Sequence, residues 1–201
     1  MITVKHIERL WTGRMYDRLF RELLANRPEG GLRLELELTG GCRATPAAAM
    51  AMIRLNELGQ SHHPLQSKLL RRLIATQEPD GGWGHPIATT FALRALLADN
   101  GDGAVIDRGL HYLAMLQKPE GIWPKVPFRR MPADPYVSAF ILNQLGAHSR
   151  FRAGVRFFDA IDWFESHESS LDPETRRLWD RASLRCRIDR TPSELTPGLW
   201  S

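Results

Sequence analysis

No apolar run in this sequence approaches the roughly 20 residues that a membrane-crossing helix needs, so no transmembrane segment is expected. Cysteine is scarce. Cys42 and Cys186 are the only two, and they stand too far apart for a chelating pair, so neither a disulfide framework nor a thiolate metal site is expected. The histidines, His62 and His63 among them, lack the spacing of paired ligands; no metal and no cofactor is expected. Lysine is rarer still, four against 23 arginines, a bias that reads as genomic base composition before function. A large excess of one charge is also missing: 27 basic residues face 23 acidic ones, a net +4. The basic residues are interleaved with acids, and the densest stretch, Arg176 to Arg190, reads as the exposed face of an amphipathic helix. Nucleic acid is therefore not an expected partner. The N-terminal Met1-Ile2-Thr3-Val4-Lys5-His6 has no long apolar stretch behind its positive charge, so no secretory leader is expected and the cytoplasm is the expected location.

What is present is an ordinary soluble composition, 43% hydrophobic and 25% charged, in a chain long enough for one domain with a sizeable core. It also holds an internal repeat. Leu73, Gln77, Pro79, Gly81 and Trp83 recur as Leu113, Gln117, Pro119, Gly121 and Trp123, each displaced by 40 residues. Lys68 with Arg108 and Asp80 with Glu120 keep the same displacement. Each copy reads alike. Residues 65–77 and 104–117 carry apolar side chains at helical spacing, and both helices stop at a turn built on Pro and Gly. A tryptophan follows, then a second helix, over 87–98 and 134–145. Each unit is thus helix, tight turn with tryptophan, helix.

Weaker copies extend outward. Upstream, residues 4–25 read as a helix paired with a second over 46–58, with Thr45 as N-cap and Pro46 at the first helical position. The alanines Ala47 to Ala49 and Ala51 would allow close approach of neighbouring helices. Between them, residues 32–38 alternate apolar and polar, as a short strand or an extended connector would. Downstream, residues 152–164 and 173–188 form a last pair, the latter capped by Asp172. The expected fold class is all-α: one domain of about four antiparallel hairpins, approximately 4–58, 65–98, 104–145 and 152–188.

Arg108-Gly109, Tyr112-Leu113, Gln117, Gly121 and Trp123 resemble the QW motif of squalene and oxidosqualene cyclases. Gln77-Glu78-Pro79-Asp80-Gly81-Gly82-Trp83-Gly84 looks like the same motif, with Leu69 and Arg72 at two degenerate positions. The continuation Ala88 to Leu96 is similar to the inner helix that follows such motifs in cyclases and in prenyltransferase β subunits. The resemblance is specific over residues 65–145. It implies the α/α toroid of the terpenoid cyclase and protein prenyltransferase superfamily. There, Gln77, Trp83, Gln117 and Trp123 would be structural, tying neighbouring hairpins together while inner helices line an apolar cavity. A full toroid of that kind uses about six hairpins, so about four imply an open ring, one closed by the N-terminal segment, or one completed by a second chain. A repeat stack with exposed ends associates or is capped, so self-association or a partner protein is expected.

The aspartate-rich motifs the resemblance would bring, Asp-x-Asp-Asp or Asp-Asp-x-x-Asp, are absent, as is a match to the prenyltransferase zinc trio. Candidate chemistry is therefore positional. Asp134, at the expected start of an inner helix, could act as a general acid if held against apolar walls, or serve as an N-cap before Pro135. Asp80 and His85 flank the corresponding loop, and Asp80 is expected to serve its turn. Lys125, Arg129 and Arg130 precede Asp134, and clustered guanidiniums could hold a diphosphate or a carboxylate. Phe91, Tyr136 and Phe140 could line an apolar pocket and stabilise a cation, or simply fill the core. Two functions are compatible with this pattern. One is a cyclase-like enzyme that acts on an isoprenoid or polyene-like apolar ligand by acid-initiated cyclisation. The other is a non-catalytic toroid fragment that binds a lipid-like ligand or scaffolds a partner.

Overall fold

The structure, a computed structural model, describes residues 44–59, 64–99, 101–128 and 130–186. The expected helix over 4–25 and the extended segment over 32–38 lie outside the described residues. Among the described residues the fold is all-α. Eight α-helices occur: α1 (Ala44–Glu57), α2 (Pro64–Ala75), α3 (Pro86–Ala98), α4 (Gly103–Leu116), α5 (Pro135–Leu145), α6 (Ser149–Gly154), α7 (Phe157–His167) and α8 (Pro173–Cys186). A short 3-10 turn over Glu168–Ser170 joins the last two.

The helices sort into two layers. α1, α3, α5 and α8 pack successively against one another, while α2 packs on α1, and α4 packs on α3 and α6. The inner helices run parallel. Phe91 of α3 meets Phe140 of α5, each the sixth residue of its helix, with ring centroids 5.2 Å apart. At the far ends Arg94 bridges Glu57 of α1, at 3.2 Å, and Gln144 of α5. The Arg185 guanidinium of α8 donates to the Asn143 carbonyl of α5 at 2.8 Å.

Local chemistry sets the inner helix starts. α3 and α5 each begin on proline, whose fixed φ suits the first helical position and whose missing N–H needs no partner there. Asp134 Oδ1 accepts from the Val137 N–H at 3.0 Å. Asp172 Oδ1 accepts from Glu174 and Thr175, both at 3.0 Å. Hydrogen bonds from Thr175, side chain first and then backbone, hold the Asp172 carboxyl below its usual range. The cap is therefore complete above the ordinary carboxylate pKa and weakens as the pH falls below it. α1 starts at Ala44, earlier than expected, so Thr45 and Pro46 lie within its first turn.

α3 is buried around nearly its whole circumference, from Pro86 to Leu93 and again at Ala95 and Leu96. A helix so placed has no polar face to alternate with. Its stability comes from packing, at about 1.5–3 kcal/mol for each large apolar side chain fully buried. α4, by contrast, is one-sided: Val105, Ile106, Leu110, Leu113 and Leu116 are buried while Met115 is exposed.

The repeat has a counterpart in hydrogen bonds. The Trp83 indole N–H donates to the Leu73 carbonyl at 2.8 Å, and that of Trp123 to the Leu113 carbonyl at 2.8 Å. The backbone N–H of Trp83 donates to Thr89 Oγ1 at 3.0 Å, and that of Trp123 to Ser138 Oγ at 2.8 Å. Each tryptophan, through its indole and its backbone N–H together, therefore ties the end of an outer helix to the first turn of the next inner helix. Gly81 and Gly121 sit at φ +90° and +92°. An added Cβ would strike the backbone of α4 at Arg108 in the first case and of α7 at Asp159 and Ala160 in the second. Each turn is thus seated on the outer helix of the following unit.

One expected element differs. The helix read over 152–164 is broken: α6 ends at Gly154, Val155 is extended at φ −130°, ψ 167°, and α7 starts at Phe157. The break has a partner. The Gln117 carboxamide accepts from the Arg156 N–H at 2.8 Å and donates to the Arg156 carbonyl at 2.9 Å. A side-chain amide there replaces the backbone partners that a continuous helix would supply.

Cys186, at the end of α8, is buried against the Leu142 carbonyl. Burial pushes its thiol up to about 11, partly offset by Arg152 and Arg185. In a Cys42→Ser background, the native protein should resist a thiol reagent at mildly alkaline pH and react fully once unfolded. Because the unfolded thiol ionises near its ordinary 9.0, stability is retained below that pH and falls as pH rises from there toward about 11.

Candidate functional site

The inner helices being parallel, the connections leading into α3, α5 and α8 lie at one end of the inner row. The connection into α5 is the longest of the three. The displacement between matching residues grows from 40, at Trp83 and Trp123, to 49, at Thr89 and Ser138. An antiparallel bridge between Pro124 and Ala133 closes this loop at its base. The Asp134 N–H donates to the Trp123 carbonyl at 2.8 Å just inside the bridge.

Asp134 is half-buried at this end. Its Oδ1 serves the cap, while its second carboxyl oxygen makes no hydrogen bond among the described residues. Ser138, one turn on, donates to the Asp134 carbonyl at 2.7 Å, so the first turn of α5 is held from both sides. The expected N-cap role is thus present in the geometry. Tyr136 is half-buried in the same turn, while Phe140 is fully enclosed one turn further along. Tyr136, Phe140 and Asn143 share one face of α5, being four and three residues apart. Phe91 from α3 closes on Phe140 edge-to-face at 63°. Arg130 is exposed in the loop and joins no ion pair among the described residues. Arg129 lies outside the described residues. The structure therefore brings Asp134 and Tyr136 together at the helix start and Phe91 with Phe140 in the core, with Arg130 exposed in the preceding loop.

Asn143 was not anticipated. It is 9% exposed, and its Oδ1 has no hydrogen-bond partner. An unpaired buried acceptor costs about 1–3 kcal/mol, so it is a natural recipient for a water or a ligand donor. Its spacing from Tyr136 and Phe140 was the available signal, masked because an asparagine deep in an apolar helix has no motif.

The motif residues occupy other surroundings. Gln77 Nε2 donates to the carbonyls of Gly81 at 2.8 Å and Val105 at 2.9 Å, and its Oε1 accepts from Arg108 at 2.7 and 3.0 Å. Asp80 Oδ1 accepts from the Gly82 N–H at 2.9 Å, serving the turn as expected. Tyr112 stacks over Gly82, where a Cβ would overlap its ring. Burial, with Asp80 and then Glu78 nearby, raises its phenol well above the usual range, so it stays protonated. A groove of about 390 Å³ lies on the outer layer between α4 and α6, lined by Asp107, Leu110, His111, Arg150, Ala153 and Gly154. It contains none of the candidate residues. No group of three or more potential metal ligands occurs among the described residues.

Part of the chain is similar to two proteins named drimenyl diphosphate synthase. The one from Streptantibioticus cattleyicolor is 36% identical over 69 residues, 31% of this chain and 13% of that protein. The one from Streptomyces showdoensis is 32% identical over 121 residues, 53% of this chain and 22% of that protein. The chain thus spans under a quarter of the length of either relative. No protein-family model matches the chain, and no solved structure matches it.

Proposed function

We propose that this chain is a terpenoid-cyclase-like module that binds an isoprenoid or polyene-like apolar substrate, with Asp134 as proton donor for an acid-initiated cyclisation. The similarity to the two drimenyl diphosphate synthases carries this reading. The paired Gln and Trp tethers and the row of parallel inner helices support a toroid-type scaffold of the kind the sequence resembles. In this reading Tyr136, half-buried at the helix start, presents its aromatic face to a developing cation, backed by the Phe91–Phe140 pair one turn further along. Arg130 with Arg129 holds the anionic head of the ligand. The Asp134 proton passes to a terminal double bond, forming a C–H bond and leaving a carbocation that later loses a proton elsewhere. Self-association or a partner protein, expected of a repeat stack with exposed ends, is part of this reading.

A second reading is a non-catalytic module that binds a lipid-like ligand or scaffolds a partner. It is favoured by α3 being buried on nearly all sides and by the absence of an aspartate-rich motif. Asp134→Asn separates the two, since asparagine caps a helix about as well as aspartate while it cannot donate a carboxyl proton. The expected result is an unchanged melting temperature and loss of cyclised product when the chain is incubated with an isoprenoid diphosphate and the extract is read by mass spectrometry. Asp134→Ala should cost about 1 kcal/mol of stability as well. Product formed by Asp134→Asn at the wild-type rate would remove Asp134 from the chemistry. Saturable binding without product from the wild type would assign the second reading.

A further inference from the structure

The loop from Pro124 to Ala133 is built unlike the other connections. Its sequence, Pro124-Lys125-Val126-Pro127-Phe128-Arg129-Arg130-Met131-Pro132-Ala133, has three prolines, three cations and no acid. The Pro124–Ala133 bridge pins its base. Two tight turns stiffen its outer part: the Phe128 N–H donates to the Val126 carbonyl at 2.7 Å, and the Met131 N–H to the Phe128 carbonyl at 2.9 Å. The loop therefore holds its apolar side chains away from the core. Phe128 is 65% exposed, more than any other large hydrophobic residue among the described ones, and Met131 is 44% exposed. Lys125 and Arg130 are exposed beside them, without an ion-pair partner among the described residues.

We propose that this loop seats the protein on an anionic lipid surface, Phe128 and Met131 entering the headgroup–acyl boundary while Lys125 and Arg130 meet lipid phosphates. Three properties select this occupant. An aromatic tip with flanking cations and no acid matches the two layers of an anionic interface, apolar inside and negative outside. Prolines and turns order the loop in advance, so little conformational entropy is lost on insertion. A single short loop is also far smaller than the roughly 1,000 Å² that a stable protein interface buries. Attachment through one loop is reversible and salt-sensitive, since the charge contribution decays within a Debye length.

The inference shares Arg130 with the cyclase reading but is tested apart from it, because no turnover and no Arg130 variant enters its test. The full chain is floated with vesicles of phosphatidylcholine mixed with phosphatidylglycerol, and with vesicles of phosphatidylcholine alone. The wild type should float with the anionic vesicles and much less with the neutral ones, and added salt should release it. Phe128→Ser should weaken flotation about tenfold, Met131→Ser somewhat less, and Lys125→Glu by several-fold. All three side chains are exposed, so the variants should melt with the wild type, which excludes unfolding as the cause. A Phe128→Trp variant should be quenched by brominated lipid more strongly than the wild type. Flotation by Phe128→Ser equal to wild type would overturn the proposal. So would failure to float with either vesicle, or binding of heparin equally by wild type and Phe128→Ser without flotation, which would mark the loop as a polyanion reader.

Discussion

Gly121→Ala should lower the melting temperature by about 10 °C. Two costs add. At φ +92° an L-residue is strained by about 1–2 kcal/mol. The new methyl would also lie 2.5 Å from the Asp159 carbonyl carbon and 2.6 Å from the Ala160 nitrogen. Both atoms are backbone of α7, so no rotamer change relieves the overlap, and the turn must lift from the helix. The sum is about 3–5 kcal/mol, and a protein of this length loses about 2–4 °C for each. Gly59→Ala is the internal control. Gly59 also has a positive φ, +68°, but nothing lies within 4 Å of its added Cβ. Only the conformational cost remains there, about 1 kcal/mol, so the melt should drop by a few degrees. Equal shifts for the two variants, read by circular dichroism, would show that contact with α7 contributes nothing.

The contrast between Gly59 and Gly121 also shows what a sequence displays. Gly121 recurs with Gly81 at a fixed displacement, and recurrence alone marks both as turn residues; that the helix of the next unit rests on each is a matter of packing. The same holds for the tethers. Gln77 with Trp83 and Gln117 with Trp123 were legible as a pattern, and the hairpins over 65–98 and 104–145 were read from helical spacing and Pro–Gly stops. Asp134 and Asp172 were legible as caps because a short acceptor before proline satisfies orphan N–H groups by local geometry alone. What escaped was non-local. The break at Val155 lies in a segment whose own residues read as helix, and the amide that pairs with the backbone there is 39 residues away at Gln117. For the candidate site, the aromatic positions were visible, but an aromatic on an inner helix reads the same whether it meets a ligand or another ring. The structure pairs Phe91 with Phe140. Asn143 carried only its spacing from Tyr136 and Phe140 as a signal, because coordinates alone show that its oxygen is buried and unpaired.

Gln117→Leu should destabilise the protein by about 3 kcal/mol, and Gln77→Leu by roughly half as much, although the two glutamines are equivalent in the repeat. The difference follows from water. Gln117 is 3% exposed, and its carboxamide satisfies the Gly121 carbonyl, the Arg156 carbonyl and the Arg156 N–H together. Leucine would leave all three without their partner, each costing about 1–3 kcal/mol where water cannot replace it; solvent near exposed Arg156 offsets part of the sum. Gln77 is only half-buried, and its oxygen faces the exposed Arg108 guanidinium, so water takes over more of its bonds. Shape is nearly conserved in both variants, which keeps cavity terms small. Gln117→Leu also removes the amide that interrupts the chain between α6 and α7. Helicity at 222 nm should therefore hold or rise slightly while the urea midpoint falls, a combination that simple loss of packing would not produce. Gln117→Glu tests the donor half alone. A carboxylate still accepts from the Arg156 N–H but turns a negative oxygen toward two carbonyls. Its deficit against wild type should be greatest at neutral pH and shrink on acidification, as the protonated carboxyl regains one donor. A deficit that does not change with pH would place the role of Gln117 in packing and not in the reciprocal amide bond that joins one hairpin to the next.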